Sequence, residues 1–294
     1  MLARRAPRHL AAALRQTSTP STALNGLRHS LPRPQAPRRN HSSYTSVDPT
    51  EVSHFDALAS SWWDPHGPSR ILHLMNPPRH AFVRACLASQ PEPPPSSLRY
   101  LDVGCGGGIF AESAARLPTT SHVTALDPSS EVLDIARAHA KRDPSLRGKL
   151  QYTQGSIEGL EMPTSEESQY DVVSVFEVVE HVDNPAEFLE RCRPFVKPGG
   201  WLVLSTIART WVSWFTTNLV AEDILGIVPK GTHSWDKYIN EEELRACFDK
   251  VGGWESPRCT GVVFVPGVGW KEVPGSEKLG NYFFAVRKED PSDA

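Results

Sequence analysis

From residue 98 onward, short apolar runs of β-branched and aromatic residues alternate with segments whose apolar positions recur at helical spacing. This rhythm predicts strands at Leu98–Val103, His122–Leu126, Leu150–Thr153, Tyr170–Phe176 and Trp201–Thr206. It predicts helices at Gly108–Leu117, Ser130–Arg142 and Pro185–Phe195. Strands that alternate with helices are typical of a parallel sheet covered by helices on both faces.

The rhythm breaks after Thr206, where an insert of about residues 209–240 begins. A helix at Asn240–Val251 and strands near Val262–Val265 and Tyr282–Arg287 follow it. The sequence therefore predicts one α/β domain over residues 98–288, with a seven-stranded, mostly parallel sheet and a short tail at 289–294.

Residues 49–97 precede this domain and are predicted as a helical extension that ends in a linker. Val52, Phe55, Leu58 and Ala59 are spaced like one face of a helix. Two elements interrupt the helical pattern, Trp62-Trp63-Asp64 and Asn76-Pro77-Pro78-Arg79. The linker is the proline-rich stretch 90–97, in which proline excludes both a helix and a paired strand.

The first 45 residues have the composition of a mitochondrial transit segment. Residues 1–47 carry eight arginines and no acid, because the first carboxylate of the chain is Asp48. Arg4, Arg5, Arg8 and Arg15 lie among leucine and alanine, as in a basic amphipathic helix. We therefore expect residues 1–45 to direct import rather than to join the fold.

Charge and cysteine content exclude several classes of protein. The net charge of -3 divides into +8 for residues 1–47 and -11 for the rest, and an acidic body is a poor ligand for nucleic acid. The five cysteines include no C-x-x-C pair, which argues against a zinc ribbon or a disulfide framework.

A glycine-rich loop follows the first predicted strand. Asp102 precedes glycines at 104, 106 and 108, which let the backbone turn tightly beside a ligand. The G-x-G-x-G spacing differs from the dinucleotide fingerprint and suits a ligand without a pyrophosphate. Asp127 ends the second strand, 23 residues after Gly104, where an acid can bind ribose hydroxyls. Asp102 either fixes the loop or faces a cationic group of the ligand.

Three ionisable residues follow the fourth strand, at the edge of the sheet where ligands bind in this fold. Glu177, Glu180 and His181 all fall there, provided that the chain turns sharply after the strand. Two interpretations stay open at this point. The three side chains bind a divalent metal that activates a substrate hydroxyl, or His181 alone acts as a general base.

The loop and the acid resemble those of the class I methyltransferases, whose first motif matches Asp102–Gly108 and whose ribose-binding acid matches Asp127. Residues 51–288 further resemble the ubiquinone biosynthesis O-methyltransferases. The matching motifs are Phe55-Asp56-Ala57-Leu58-Ala59, Trp62-Trp63-Asp64-Pro65, Asn76-Pro77-Pro78-Arg79, Glu177–His181, Lys197-Pro198-Gly199-Gly200 and Val228-Pro229-Lys230-Gly231-Thr232-His233.

This resemblance implies a Rossmann-like fold, S-adenosylmethionine as cofactor, and cofactor contacts at Arg79, Gly104, Asp127 and Phe176, the last packed on adenine. It also implies a divalent metal, usually magnesium, at Glu177, Glu180 and His181. Glu180 and His181 then act at the substrate hydroxyl. The implied substrates are polyprenyl-dihydroxybenzoate and demethylubiquinol, and the implied setting is a multi-subunit complex on the matrix side of the mitochondrial inner membrane.

The insert carries a candidate membrane contact. Over Trp211–Val228, aromatic and apolar residues recur at i, i+3 and i+4, which suits a helix lying in a lipid interface. A lid packed on the core explains the same spacing. Two other functions also remain to be distinguished: C-methylation of a quinone ring, and a methyltransferase fold that only scaffolds a membrane complex.

Overall fold

A computed structural model of the chain describes residues 45–210 and 237–291. The predicted transit segment and most of the insert, including the candidate membrane helix, therefore lie outside the described residues. In the described ranges, no helix combines the length and the apolar character needed to cross a membrane.

The described residues form one twisted α/β sheet of eight strands in the order β3-β2-β1-β4-β5-β8-β6-β7. The strands are β1 Leu98–Val103, β2 Thr120–Asp127, β3 Leu150–Gln154, β4 Tyr170–Phe176, β5 Val196–Ile207, β6 Trp254–Val265, β7 Gly269–Glu272 and β8 Asn281–Lys288. The first five run parallel, while β8 is antiparallel to both β5 and β6. The predicted mostly parallel α/β fold is confirmed.

The prediction of seven strands is wrong by one. The extra strand, β7, spans four residues and pairs antiparallel with the end of β6 after a turn that contains Gly267 and Gly269 at positive φ. A strand of four residues is too short to show a clear alternation of apolar and polar residues in the sequence. Only its pairing with β6 defines it as a strand.

Helices cover both faces of the sheet. They are α1 Pro49–Leu58, α2 Arg70–Ser89, α3 Ile109–Ala115, α4 Ser130–Ala140, α5 Pro185–Cys192 and α6 Glu241–Val251. One apolar cluster joins α2 and α3 to the sheet, and a second joins α5 and α6 to it. All seven residues of β4 are buried, as expected for a central parallel strand.

The N-terminal extension is part of this core. Its first interruption is confirmed, because α1 is followed by a 3-10 turn at Ala59–Ser61 and a loop. The second is wrong, because α2 continues through Pro77 and Pro78. Each proline removes one helical hydrogen bond. The buried face of α2, which includes Met75, Phe82 and Val83, packs against the sheet and offsets that cost.

Candidate active site

A cavity of about 240 Å³ opens at the carboxyl ends of β1, β2 and β4. The strand order reverses between β1 and β4, and this switch point is where open α/β sheets bind ligands. Residues of α1 and α2 complete the wall opposite the strand ends. The N-terminal extension and the sheet together therefore build the site.

The glycine loop forms the floor of the cavity. Gly104, Gly106 and Gly108 have φ values of 70°, 52° and 84°, a region that glycine enters without strain. A Cβ added at Gly104 would lie 2.4 Å from Cγ2 of Val178. The loop is thus closed to any side chain on steric as well as on conformational grounds.

Asp127 holds the loop in place. Its Oδ2 accepts a hydrogen bond from the backbone N–H of Gly106 at 2.8 Å, and its Oδ1 accepts one from Ser129 N–H at 3.0 Å. Burial raises the pKa of Asp127 to about 6. Asp127 lines the cavity and each carboxylate oxygen can accept a further hydrogen bond, so its contact with ribose hydroxyls stays a prediction.

Arg79 and Asp102 are buried groups of opposite charge that line the same cavity, with 5% and 2% of their surfaces exposed. Within the described residues, neither Arg79 Nε nor Asp102 Oδ2 has a hydrogen-bond partner. Asp102 Oδ1 accepts from Ser174 Oγ at 2.6 Å. Buried polar groups without a partner are costly, so both indicate a ligand. A guanidinium and a carboxylate together suit the carboxylate and the ammonium of an amino acid, which is the methionine end of S-adenosylmethionine.

Phe176 lies at this same end of the cavity. Its ring centroid is 4.9 Å from the guanidinium carbon of Arg79 and 4.7 Å from the ring of Phe110. These neighbours favour a contact with the methionine part of the cofactor over the adenine contact suggested by the sequence. That Phe176 touches the cofactor stays a prediction.

The acidic cluster lies on a sharp turn, as the sequence requires. Glu177 directly follows β4 and has a φ of 57°, which is uncommon for a residue other than glycine, and Val179–His181 forms a 3-10 turn. The backbone N–H of Glu177 donates to Ser205 O at 3.1 Å, and its Oε1 accepts from Ser205 Oγ at 2.6 Å. Contacts with β5 thus hold Glu177 in its strained conformation.

Each of the three predicted metal ligands has its own partner. Glu180 Oε2 accepts from Thr206 Oγ1 at 2.9 Å, and Nδ1 of His181 donates to Glu51 Oε2 at 3.0 Å. Across residues 45–210 and 237–291, no three His, Cys, Asp or Glu side chains converge closely enough to hold a metal ion. The structure thus brings the three residues to one turn without forming a completed ligand set.

The electrostatics of this turn nevertheless suit a cation. Burial and the charge of Glu177 raise the pKa of Glu180 well above its usual value. Burial lowers the pKa of His181, but its hydrogen bond with Glu51 and the charge of Glu180 outweigh burial and raise it overall. A divalent cation would relieve the repulsion between the two carboxylates, and carboxylate oxygens are the ligands that magnesium prefers.

The sequence analysis did not predict that α1 lines the cavity. Glu51 contacts His181, and Asp56 accepts a hydrogen bond from Ser129 Oγ. Just before α1, Ser46 donates to Glu158. Helix α1 has no fully buried residue, but the apolar face predicted from its spacing, with Val52, Phe55 and Leu58, lines the cavity beside these polar contacts.

Replacing Asp102 by Asn should stabilise the cofactor-free protein at pH 8 by about 1–3 kcal/mol, because it removes a buried charge. Burial raises the pKa of Asp102 from 3.8 to about 7. The folded protein holds the Asp102 proton more tightly than the unfolded chain does. Asp102 therefore contributes stability fully below about pH 4, and this contribution is lost as the pH rises to about 7. Urea unfolding should show a stability gain for Asp102→Asn that grows between pH 5 and pH 8.

Asp143→Asn is the matched control. Hydrogen bonds from Ser145 and Arg116 lower the pKa of the exposed Asp143 to about 2, so this variant should lose a similar amount of stability at both pH values. A gain for Asp102→Asn that is the same at pH 5 and pH 8 would refute the assignment of a raised pKa.

A family model described as a methyltransferase domain matches residues 72–252. The mitochondrial ubiquinone biosynthesis O-methyltransferase of Candida albicans is 39% identical over 85% of this chain and 88% of its own length. The protein of the same name from Schizosaccharomyces pombe is 43% identical over 85% and 89%. The ubiquinone biosynthesis O-methyltransferase of Roseobacter denitrificans is 36% identical over 83% and 97%.

Solved structures show the same fold at lower identity. A methyltransferase of Thermotoga maritima, described as a possible histamine N-methyltransferase, has a TM-score of 0.54 at 17% identity and covers 82% of this chain and 100% of its own. The plantazolicin methyltransferase BpumL, solved with S-adenosylhomocysteine, has a TM-score of 0.55 at 19% identity over 82% and 97%. The fold, the cavity and the similarity across nearly the full length of these relatives lead to one conclusion: the chain belongs to the ubiquinone biosynthesis O-methyltransferases, a family of S-adenosylmethionine-dependent enzymes.

Proposed function

We propose that this enzyme methylates ring hydroxyls of two polyprenylated precursors, polyprenyl-dihydroxybenzoate and demethylubiquinol. The observation that carries the proposal is that one cavity contains both cofactor-binding groups and proton-accepting groups. The pair Arg79 and Asp102 suits the amino-acid end of the cofactor, and Glu177, Glu180 and His181 supply groups that can take a proton. A catechol or quinol bound at this turn would lie next to both the cofactor and a proton acceptor.

S-adenosylmethionine supplies a methyl group made electrophilic by its sulfonium. Asp127 and Arg79 would hold the two ends of the cofactor in the same cavity as the acidic turn. The acceptor oxygen forms a bond to the methyl carbon as the carbon–sulfur bond breaks, and the hydroxyl proton leaves. Glu180 or Nε2 of His181 accepts that proton, and the burial of Glu180 keeps competing water away from this carboxylate.

Glu177, Glu180 and His181 would hold the divalent metal that the family resemblance implies, most simply magnesium. Such an ion lowers the pKa of a hydroxyl bound to it. Two neighbouring carboxylates, of which Glu180 is buried and Glu177 is partly buried, and an imidazole on one turn support this assignment by their chemistry. Small shifts of the three side chains away from Ser205, Thr206 and Glu51 would be needed for them to converge.

Transfer of labelled methyl from S-adenosylmethionine to short-tailed catechol and demethylquinol analogues tests the function. We expect O-methylated products from both acceptors, identified by mass spectrometry. A product methylated on a ring carbon would favour the C-methylation alternative. Tight cofactor binding with no transfer to either acceptor would favour the scaffold alternative.

We further infer that the enzyme acts on the matrix side of the mitochondrial inner membrane, within a multi-subunit complex. The arginine-rich, acid-free residues 1–45 and the mitochondrial names of several relatives support this location. A fluorescent reporter fused to residues 1–45 should enter mitochondria, and a cytosolic reporter would contradict the inference. The proposed lipid contact at Trp211–Val228 stays a prediction.

A further inference from the structure

The indole of Trp62 lies against the glycine loop. A Cβ added at Gly106 would lie 2.4 Å from Cζ2 of Trp62, and one added at Gly107 would lie 2.1 Å from its Cδ1. The ring packs with Ile109 at the start of α3 and Val132 in α4, and only 7% of the residue is exposed. Trp62 also lines the cofactor cavity.

The Nε1–H group of Trp62 is buried and has no hydrogen-bond partner within the described residues. The neighbouring tryptophan behaves differently, since Trp63 Nε1 donates to Gly107 O at 2.9 Å. Trp201 and Trp270 also donate, to Gln90 and to Ile71. A buried donor without an acceptor is costly, and Trp62 lines the ligand cavity, so its unpaired N–H indicates an acceptor on the ligand.

The loop itself has few donors left for an anion. The N–H groups of Gly104 and Cys105 both donate to Leu126 O, that of Gly106 donates to Asp127, and that of Gly108 donates to Cys105 O. A carboxylate held above this loop therefore depends on side chains for its hydrogen bonds. The buried side-chain donors without a described partner at this cavity are Trp62 Nε1 and Arg79 Nε.

We propose that Trp62 Nε1 donates a hydrogen bond to the methionine carboxylate of the cofactor and shares this group with Arg79. A carboxylate offers about four acceptor positions, so it can accept from a guanidinium and an indole together. The indole then has two roles: its ring packs against the loop, and its N–H binds the ligand. The inference concerns cofactor binding alone and does not depend on which acceptor is methylated.

Calorimetry with Trp62→Phe tests the proposal, because Phe keeps an aromatic ring on the loop and removes the N–H. S-adenosylmethionine should bind about 10-fold more weakly, the effect of one hydrogen bond to a charged group. Decarboxylated S-adenosylmethionine, which lacks only the carboxylate, should bind the variant and the wild type equally. Equal weakening for both ligands, or none for either, would overturn the proposal.

Trp63→Phe is the matched control, because its N–H bonds the loop rather than the cavity. This variant should change the affinity for the two ligands by the same factor. In the full-length wild type, the indole N–H resonance of Trp62 should move downfield with S-adenosylmethionine and not with the decarboxylated form. Substitution of the other tryptophans assigns their signals and leaves that of Trp62 by elimination, so the measurement does not require a Trp62 variant that folds. A resonance that does not move would also overturn the proposal.

Discussion

Glu180→Gln is expected to lower turnover by about 100- to 10,000-fold and to leave the affinity for S-adenosylmethionine within about threefold. Glu180 is buried beside Glu177 and contacts Thr206 of β5, whereas Arg79 and Asp127 are the residues that we assign to the cofactor. Gln has the same shape and can still accept the hydrogen bond from Thr206. It has no charge, so it can neither take the substrate proton nor bind a cation strongly. Steady-state kinetics and calorimetry on the same preparation separate the two effects.

Exhaustive chelation should reproduce this loss if Glu177, Glu180 and His181 hold a metal, and added magnesium should restore turnover. Glu187→Gln, a partly exposed carboxylate paired with Arg191, serves as the control and should behave as wild type. If turnover survives chelation, the metal assignment is wrong and His181 acts as the general base. In that case His181→Asn should show the large loss in turnover.

Arg79→Met should weaken S-adenosylmethionine binding by about 2–4 kcal/mol, roughly 30- to 1,000-fold. The guanidinium is buried and within electrostatic range of Glu177, Asp102 and Glu180, yet within the described residues it forms no ion pair shorter than 4.0 Å. It is therefore available for a bidentate pair with the methionine carboxylate. Met fills a similar volume against Phe176 and loses every donor.

Two comparisons make this expectation specific. Arg79→Lys keeps the charge and loses the planar fork, so it should recover only part of the affinity. 5′-Methylthioadenosine, which lacks the amino-acid end, should bind Arg79→Met as it binds the wild type. A loss of affinity for both ligands would mean that Arg79 acts through the general stability of the cavity.

The raised pKa values in the site have a cost in stability. Asp102, Asp127 and Glu180 all have raised pKa values because they are buried. Each would be easier to bury as its neutral amide. The cofactor-free enzyme therefore keeps charges that oppose folding at neutral pH, and cofactor binding should stabilise it most under the conditions where these groups are ionised.

Local patterns in the sequence determined the α/β alternation, the glycine loop with Asp127, and the position of the acidic turn after the fourth strand. These features are readable because strand periodicity, positive-φ glycines and strand-end acids depend on residues close together in the chain. The family resemblance added Arg79, which no periodicity marks. It also supplied the metal at Glu177, Glu180 and His181, which the structure does not bring together as ligands.

Only the tertiary structure decided which distant residues complete the site. Glu51 meets His181 across 130 positions of sequence, and Trp62 covers a loop more than 40 residues away. The continuation of α2 through two prolines and the pairing of β7 also depend on packing against partners remote in the chain. Burial sets the pKa of Asp102 and leaves the Trp62 N–H without a partner, and burial is a property of the assembled fold that no local pattern contains.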